Sequence, residues 1–152
     1  MTTGNAPKSP VAGRTGPKTA GVVSRAVRLV PAFSATLPYP PSVNSIWRRV
    51  GNKTLLSADG REYHARVENA VALLMTRYAV PPAPHAVRLS FVVPDRRKRD
   101  LDNLPKAVLD PLYRAFGMDD SVITRIEATK RYEGPGTSGS VTVLVWTDEE
   151  AA

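Results

Sequence analysis

With 152 residues, 42% of them hydrophobic, the chain is long enough for one domain with a buried core and too apolar for a disordered protein. It contains no cysteine, which excludes disulfides and thiolate metal sites, and no apolar run approaches the ~18 residues of a membrane span. The net charge of +7 is unevenly spread: residues 1–58 hold eight Lys and Arg and no acid, and the remainder holds 13 basic and 14 acidic residues. A basic half points to a polyanionic partner, most often nucleic acid; the alternative is a tail that only aids solubility. The first residues scatter their charges among Gly, Pro and Thr with no apolar stretch behind them, so no secretory signal is expected and the expected compartment is the cytoplasm.

Residues 1–25 are rich in Gly, Pro, Thr and Ser, and too poor in large apolar side chains to offset their ordering entropy. The expected organisation is a disordered basic tail over 1–28 and one domain over 29–148. A strand is predicted near Ala32–Leu37, with Pro31 at its beginning. "PYPPSVNSIWRRVGNKTLLS" reads as an extended loop with a short hairpin around Gly51-Asn52, and Pro38, Pro40 and Pro41 are expected to forbid a helix there. "SADGREYHARVENAVALLMTRYAV" is the clearest helix, with Tyr63, Val67, Ala70, Val71, Leu74 and Tyr78 on one face and Ser57 or Asp59 as N-cap. "VPPAPH" ends it, and "AVRLSFVVP" alternates Val87, Leu89 and Phe91 as a strand does.

"DLDNLPKAVLDPLYRAFG" returns to helical period through Leu101, Leu104, Val108, Leu109, Leu112 and Phe116. Pro105 suits the first turn, Gly117 suits the C-cap, and Pro111 is expected to kink or interrupt the helix. "SVITRIEATKRYE" and "SVTVLVW" alternate as two strands, expected to form a hairpin across "GPGTSG". The order β-α-β-α-β-β predicts an α+β two-layer sandwich of a mixed sheet and two main helices.

Arg96, Arg97, Lys98 and Arg99 stand directly before Asp100 and Asp102, and Asp119 and Asp120 follow the helix. One Asp at a helix start is ordinarily a cap. Two are harder to explain, since one cap needs one carboxylate, and a pair can hold Mg²⁺ together with waters and phosphate oxygens. Asp119 and Asp120 can join them only if the fold brings that turn back. Lys106, four residues after Asp102, is either an ordinary i,i+4 ion-pair partner or a cation that stabilises charge at a scissile phosphate. The four basic residues would contact phosphates, as would Arg48 and Arg49. Trp47, next to them, reads as a core or interface anchor rather than a base-stacking platform. His64 and His85 read as solvent-facing residues.

The run "PDRRKRDLDNLPKAVLDPLYRAFGMDDSVI" resembles the RusA family of Holliday junction resolvases, whose pattern is a basic stretch, D-L-D-N-L, a Lys four residues after the second Asp, and a later D-D pair. "LPYPPSVNSIWR" is similar to the family's Pro-Pro-Ser-x-Asn segment, and "SADGREYHARV" to its Ser-x-x-Gly-x-x-Tyr helix start, so the likeness runs from about Thr36 to Trp146. It implies a RusA-like fold and a homodimeric endodeoxyribonuclease that nicks four-way DNA junctions in recombination and repair. It also implies Mg²⁺, for which Mn²⁺ can substitute. By position the metal ligands fall on Asp100, Asp102 and Asp120 and the essential lysine on Lys106, with Asp119 and Asn103 as accessory candidates. The family's products are a 5′-phosphate and a 3′-hydroxyl. Strand edges and the apolar residues Phe33, Val87, Val143 and Val145 are candidate dimer contacts. The competing readings are a nuclease for other branched DNA such as a flap or fork, a non-catalytic DNA-binding module, and a purely structural dimer.

Overall fold

The computed structural model describes residues 31–151, so the expectation of a tail over 1–28 lies outside the described residues. Four strands form the main sheet: β1 (Phe33–Pro38), β4 (His85–Val93), β5 (Ile123–Tyr132) and β6 (Ser140–Thr147), in the order β1-β6-β4-β5. β6 runs antiparallel to both of its neighbours, whereas β4 and β5 are parallel. Helices α2 (Ala58–Met75) and α3 (Asn103–Phe116) cover one face of this sheet, and between β1 and α2 lie a short helix α1 (Val43–Ile46) and a hairpin of β2 (Trp47–Val50) and β3 (Lys53–Leu56). This is the expected α+β architecture with a mixed sheet. No helix among the described residues is long and apolar enough to cross a membrane.

The core follows from two periodicities. Phe33, Ala35 and Leu37 alternate inward on β1, as do Val87, Leu89 and Phe91 on β4 and Val141, Val143 and Val145 on β6. Against them pack Tyr63, Val67 and Val71 of α2 and Leu104, Val108, Leu112, Tyr113 and Phe116 of α3. Phe33, Val87, Val143 and Val145 are at most 1% exposed, so they build this core and are not available as dimer contacts.

The expected β5–β6 hairpin is not formed. β6 inserts between β1 and β4, and β5 takes the outer edge parallel to β4. The residues explain the exchange. "SVTVLVWT" carries three fully buried valines and suits a central position, whereas "ITRIEATKRY" is charged and mostly exposed, as edge strands are. Nor does Pro111 interrupt its helix. α3 runs unbroken from Asn103 to Phe116 with Pro111 buried inside it. Proline there removes one backbone donor, and the packed side chains on either side, Val108 and Leu112, hold the helix together across it. Pro105 lies in the first turn, as expected. Gly117 closes the other end in the left-handed conformation (φ 69°), its N–H bonded to the Arg114 carbonyl at 3.1 Å. The loop after β1 does contain helix, but only the single turn of α1 that begins beyond Pro41.

The start of α2 fastens that loop. Ser57 caps the helix by accepting from the Gly60 N–H at 3.0 Å, and its hydroxyl donates to the Ser45 carbonyl of α1. Tyr63, one turn on, donates its hydroxyl to the Pro38 carbonyl at 3.1 Å. Between them, a Cβ on Gly60 would stand 2.5 Å from the Ile46 carbonyl oxygen, a backbone atom that cannot swing away. Gly60→Ala is therefore expected to destabilise the protein. Overpacking costs about 1–3 kcal/mol, more than the roughly 1 kcal/mol that Ala gains over Gly in a helix. Thermal unfolding by circular dichroism should show a melting temperature several degrees lower; an unchanged or higher value would contradict this close approach.

Candidate active site

β4 ends at Val93, and the chain runs through the basic stretch to α3. Asp95 organises this loop. Its carboxylate takes both arms of the Arg99 guanidinium at 2.6 and 3.0 Å and the Arg97 N–H at 2.8 Å. Arg99 also lies over the Tyr39 ring, 5.7 Å from its centroid, and Lys130 of β5 donates to the Arg99 carbonyl. The Arg99 hydrogen bonds and the Arg97 N–H hold the Asp95 carboxyl at about 2, below its ordinary 3.8. Because the folded value is depressed, the stabilisation is present above the ordinary carboxylate range and is lost as pH falls through about 2. Arg99, expected as a phosphate contact, fastens the loop through Asp95 and also lines the cavity of Asp100. Arg96 lies over Tyr132 at 5.2 Å, while Arg97 and Lys98 are exposed to solvent.

The two acids that follow do not behave as caps. Asp102 occupies the N-cap position of α3, but its side chain accepts no capping hydrogen bond; Leu104 N–H closes the turn onto the Leu101 carbonyl at 3.3 Å. Asp100 and Asp102 are both exposed and, among the described residues, neither carboxylate has a hydrogen bond or ion pair. Lys106 pairs with Asp110 at 3.3 Å rather than with Asp102. Its side chain is 71% exposed, so that contact is worth only ~0.3–0.5 kcal/mol. Beyond α3, Asp119 is the true cap. Its Oδ1 accepts the Ser121 N–H at 2.8 Å at the start of a 3₁₀ turn (Asp120–Val122), and its carboxyl is held below the usual range by hydrogen bonding at Ser121. The Asp120 carboxylate is left exposed, with no partner among the described residues.

Three adjoining cavities receive these groups. Asp100 and Asn103 line the first, of about 240 Å³, opposite Tyr39, Ser42 and Asn44. Asp102 and Lys106 line the second, of about 100 Å³, with the half-buried Trp47 as a wall. Lys106 also lines the third, of about 360 Å³, with Asp110, Tyr113, Arg114, Asp119 and Asp120. Asp102, Lys106, Asp110 and Arg114 recur every four residues and form one stripe along α3. That helix of 14 residues is about 21 Å long and stands between Asp100–Asp102 and Asp119–Asp120. Within one chain the turn is not brought back beside the first pair, and no group of three acids or histidines among the described residues is arranged to hold a metal. Exposed, unpaired carboxylates do fit a hydrated Mg²⁺, which is held by one or two of them plus waters and substrate phosphate oxygens.

Neither histidine faces solvent. His85 is fully buried. A carbonyl can only accept, so Nε2–H donates to the Pro81 carbonyl at 2.8 Å, which leaves Nδ1 to accept the Tyr113 hydroxyl at 2.8 Å. Tyr113 in turn walls the third cavity, and burial together with the nearby Asp120 charge pushes its phenol up. His64 is 7% exposed, its pKa lowered by burial, and its Nδ1 has no partner among the described residues. Both are buried by residues from other parts of the chain, a signal the isolated residue lacks. Sequence reasoning also missed Tyr39, Ser42, Asn44, Tyr113 and Arg114 as site-lining residues. Ser42 and Asn44 were visible in the "PPSVN" run, but only the folded loop sets them opposite Asp100.

A family model described as Endodeoxyribonuclease RusA matches residues 38–143. The crossover junction endodeoxyribonucleases RusA of Shigella sonnei (strain Ss046) and Escherichia coli (strain K12) are each 36% identical to the chain over 117 residues, covering 76% of this chain and 94% of the relative. The crossover junction endodeoxyribonuclease of Enterobacteria phage 82 is 35% identical over 117 residues, with the same coverage. The span matched by the family model contains the loop after β1, the Ser57–Tyr63 fastening and every acid of the cavities along α3. The chain belongs to the RusA family of endodeoxyribonucleases.

Proposed function

We propose that this protein is a Mg²⁺-dependent endodeoxyribonuclease that resolves four-way DNA junctions by paired, symmetric nicks, acting in the cytoplasm in recombination and repair. The observation that best supports it is the pair of exposed, unpartnered carboxylates, Asp100 and Asp102, at the mouth of α3 beside Lys106. A structural role would have given these acids a cap or an ion pair. Asp100 and Asp102 would hold the cation, which supplies an activated water and neutralises a non-bridging phosphate oxygen. Lys106 offers its ammonium to the charge that develops on the phosphate and its leaving oxygen. Arg96, Arg97 and Lys98 hold the flanking backbone. Mn²⁺, also a hard cation, substitutes.

Paired nicks ask for two sites related by a two-fold axis, hence a homodimer. The dimer also accounts for the position of Asp120, which lies past the far end of α3 from Asp100 and Asp102. A two-fold axis that runs the two α3 helices antiparallel, with their stripes lining one open cleft, would bring one chain's Asp120 toward its partner's acid pair. Asp102→Asn and Asp120→Asn, each inactive alone, should then recover nicking of one strand when refolded together, because half of a mixed dimer has an intact set. Mixtures that stay inactive on a labelled four-way junction would refute the shared site. Sedimentation at micromolar concentration should show a dimer, and monomer alone, with junction bound or free, would refute the two-fold arrangement.

Asp100→Asn, Asp102→Asn and Asp120→Asn should each lose most Mg²⁺-dependent nicking while junction binding persists or tightens, since less negative charge faces the phosphates. Lys106→Met should lower nicking by roughly 10²–10³-fold with Mg²⁺ binding retained. Glu62→Gln, an exposed acid elsewhere on α2, is the control. Full activity of Asp102→Asn on a four-way junction would sink the assignment. Equal cleavage of flap, fork and four-way substrates would favour a broader branched-DNA nuclease.

A further inference from the structure

A second concave surface lies between α2, the β2–β3 hairpin and α3. It encloses about 550 Å³ and gathers Arg48 of β2, Arg61, His64 and Glu68 of α2, and Arg114 of α3. Three guanidiniums face one carboxylate, so the charge is not balanced from within. Arg114 Nε stands 3.6 Å from Glu68, a loose ion pair with the arginine side chain 70% exposed. Arg61 uses one N–H on the Leu56 carbonyl at 2.9 Å and keeps the rest of its fork. Arg48 has no partner among the described residues.

His64 adds the second, independent observation. It is 7% exposed and lines this groove, yet its Nδ1 is buried with no hydrogen-bond partner among the described residues. The other buried histidine, His85, has both ring nitrogens satisfied. A buried polar atom left unpaired costs about 1–3 kcal/mol, so a polar group that reached His64 Nδ1 from a groove rimmed by three arginines would be favoured. Guanidinium forks match the oxygens of a phosphate diester, and an imidazole can share them.

We propose that this groove is a DNA subsite that takes a backbone phosphate of the strand passing through the acidic site; the inference rests on the nuclease reading and extends it. Arg114 belongs both to this groove and to the cavity of Lys106, Asp119 and Asp120, so the two are continuous. A strand laid along the α3 stripe from Asp102 to Arg114 travels 12 residues of helix, about 18 Å, the length of several nucleotides at about 3.4 Å rise. The groove would thereby fix the strand's direction across the acids.

The test compares Arg48→Ala/Arg61→Ala with Arg66→Ala/Arg77→Ala, a control that removes equal charge from exposed α2-side positions outside the groove. Fluorescence anisotropy on a labelled four-way junction over a salt series should show several-fold weaker binding at low salt for the groove variant. Its log Kd against log salt slope should fall by about 0.7–0.9 for each phosphate no longer neutralised. The imidazole NMR signals of His64 in the wild-type protein should shift on adding a short single-stranded oligonucleotide. Groove and control variants with equal slopes and affinities would overturn the inference, as would a His64 signal that ignores the oligonucleotide. Inorganic phosphate shifting it as strongly at equal phosphate concentration would make this a free-anion site and overturn the backbone assignment. A wild-type protein that binds the junction but does not nick it with Mg²⁺ would instead refute the nuclease reading and leave the groove comparison standing.

Discussion

Parallel strands cannot be joined by a tight turn, and β4 and β5 are parallel. Their connection must return the full length of the sheet, and α3 is that return. Everything functional hangs on it. The acids before the helix emerge where β4 ends, and those after it emerge where β5 begins, at the opposite end of the sheet. The buried face of α3 closes the core, while its outer stripe of Asp102, Lys106, Asp110 and Arg114 lines the cavities of Trp47 and of Asp120 and reaches the groove of Arg48 and Arg61. A helix whose one face is immobilised by Leu104, Val108 and Leu112 holds the other face in register.

The walls opposite α3 are irregular chain, and irregular chain needs fasteners. Ser57, Gly60 and Tyr63 do this for the loop after β1, each against a backbone carbonyl. Asp95 does it for the basic loop by occupying Arg99 from two sides. The result is a division of labour inside one charged run: the cation nearest the acids also fastens the loop, and the cations before it remain open to solvent. Counting charges cannot reveal such a division, because it depends on Asp95 and Tyr39 being neighbours in space.

Buried polar groups secure the far end. Asp148, 4% exposed, accepts from Thr124 at 2.7 Å and Arg125 at 2.9 Å, and its N–H donates to the Pro84 carbonyl at 2.8 Å. This ties the end of β6 to the starts of β4 and β5, close to the turn that presents Asp120. His85 and Tyr113 bridge the same region from within the core. Buried polar atoms that find all their partners rigidify what they join, and the contrast with the unsatisfied Nδ1 of His64 is what separates a structural histidine from one that lines a groove.

Much of this was legible without coordinates. Periods of two and 3.6 residues located the strands and both long helices, because side-chain direction is a local property of the backbone, and the spacing of Asp100, Asp102, Lys106 and Asp120 carried the family likeness. The turn chemistry of Ser57, Gly51 and Gly117 was likewise local. Strand order was not: whether β6 pairs with β5 or slips between β1 and β4 depends on which strand tolerates exposure across the whole sheet. The burial of His64 and His85, the stacking of Arg99 over Tyr39, and the helix that survives Pro111 also come from neighbours distant in sequence. The residue types and their spacing determined the chemistry on offer. Only the tertiary structure decided which acids stay free, which are caps, and that α3 holds the two acid pairs apart, since that distance is set by the crossover between parallel strands.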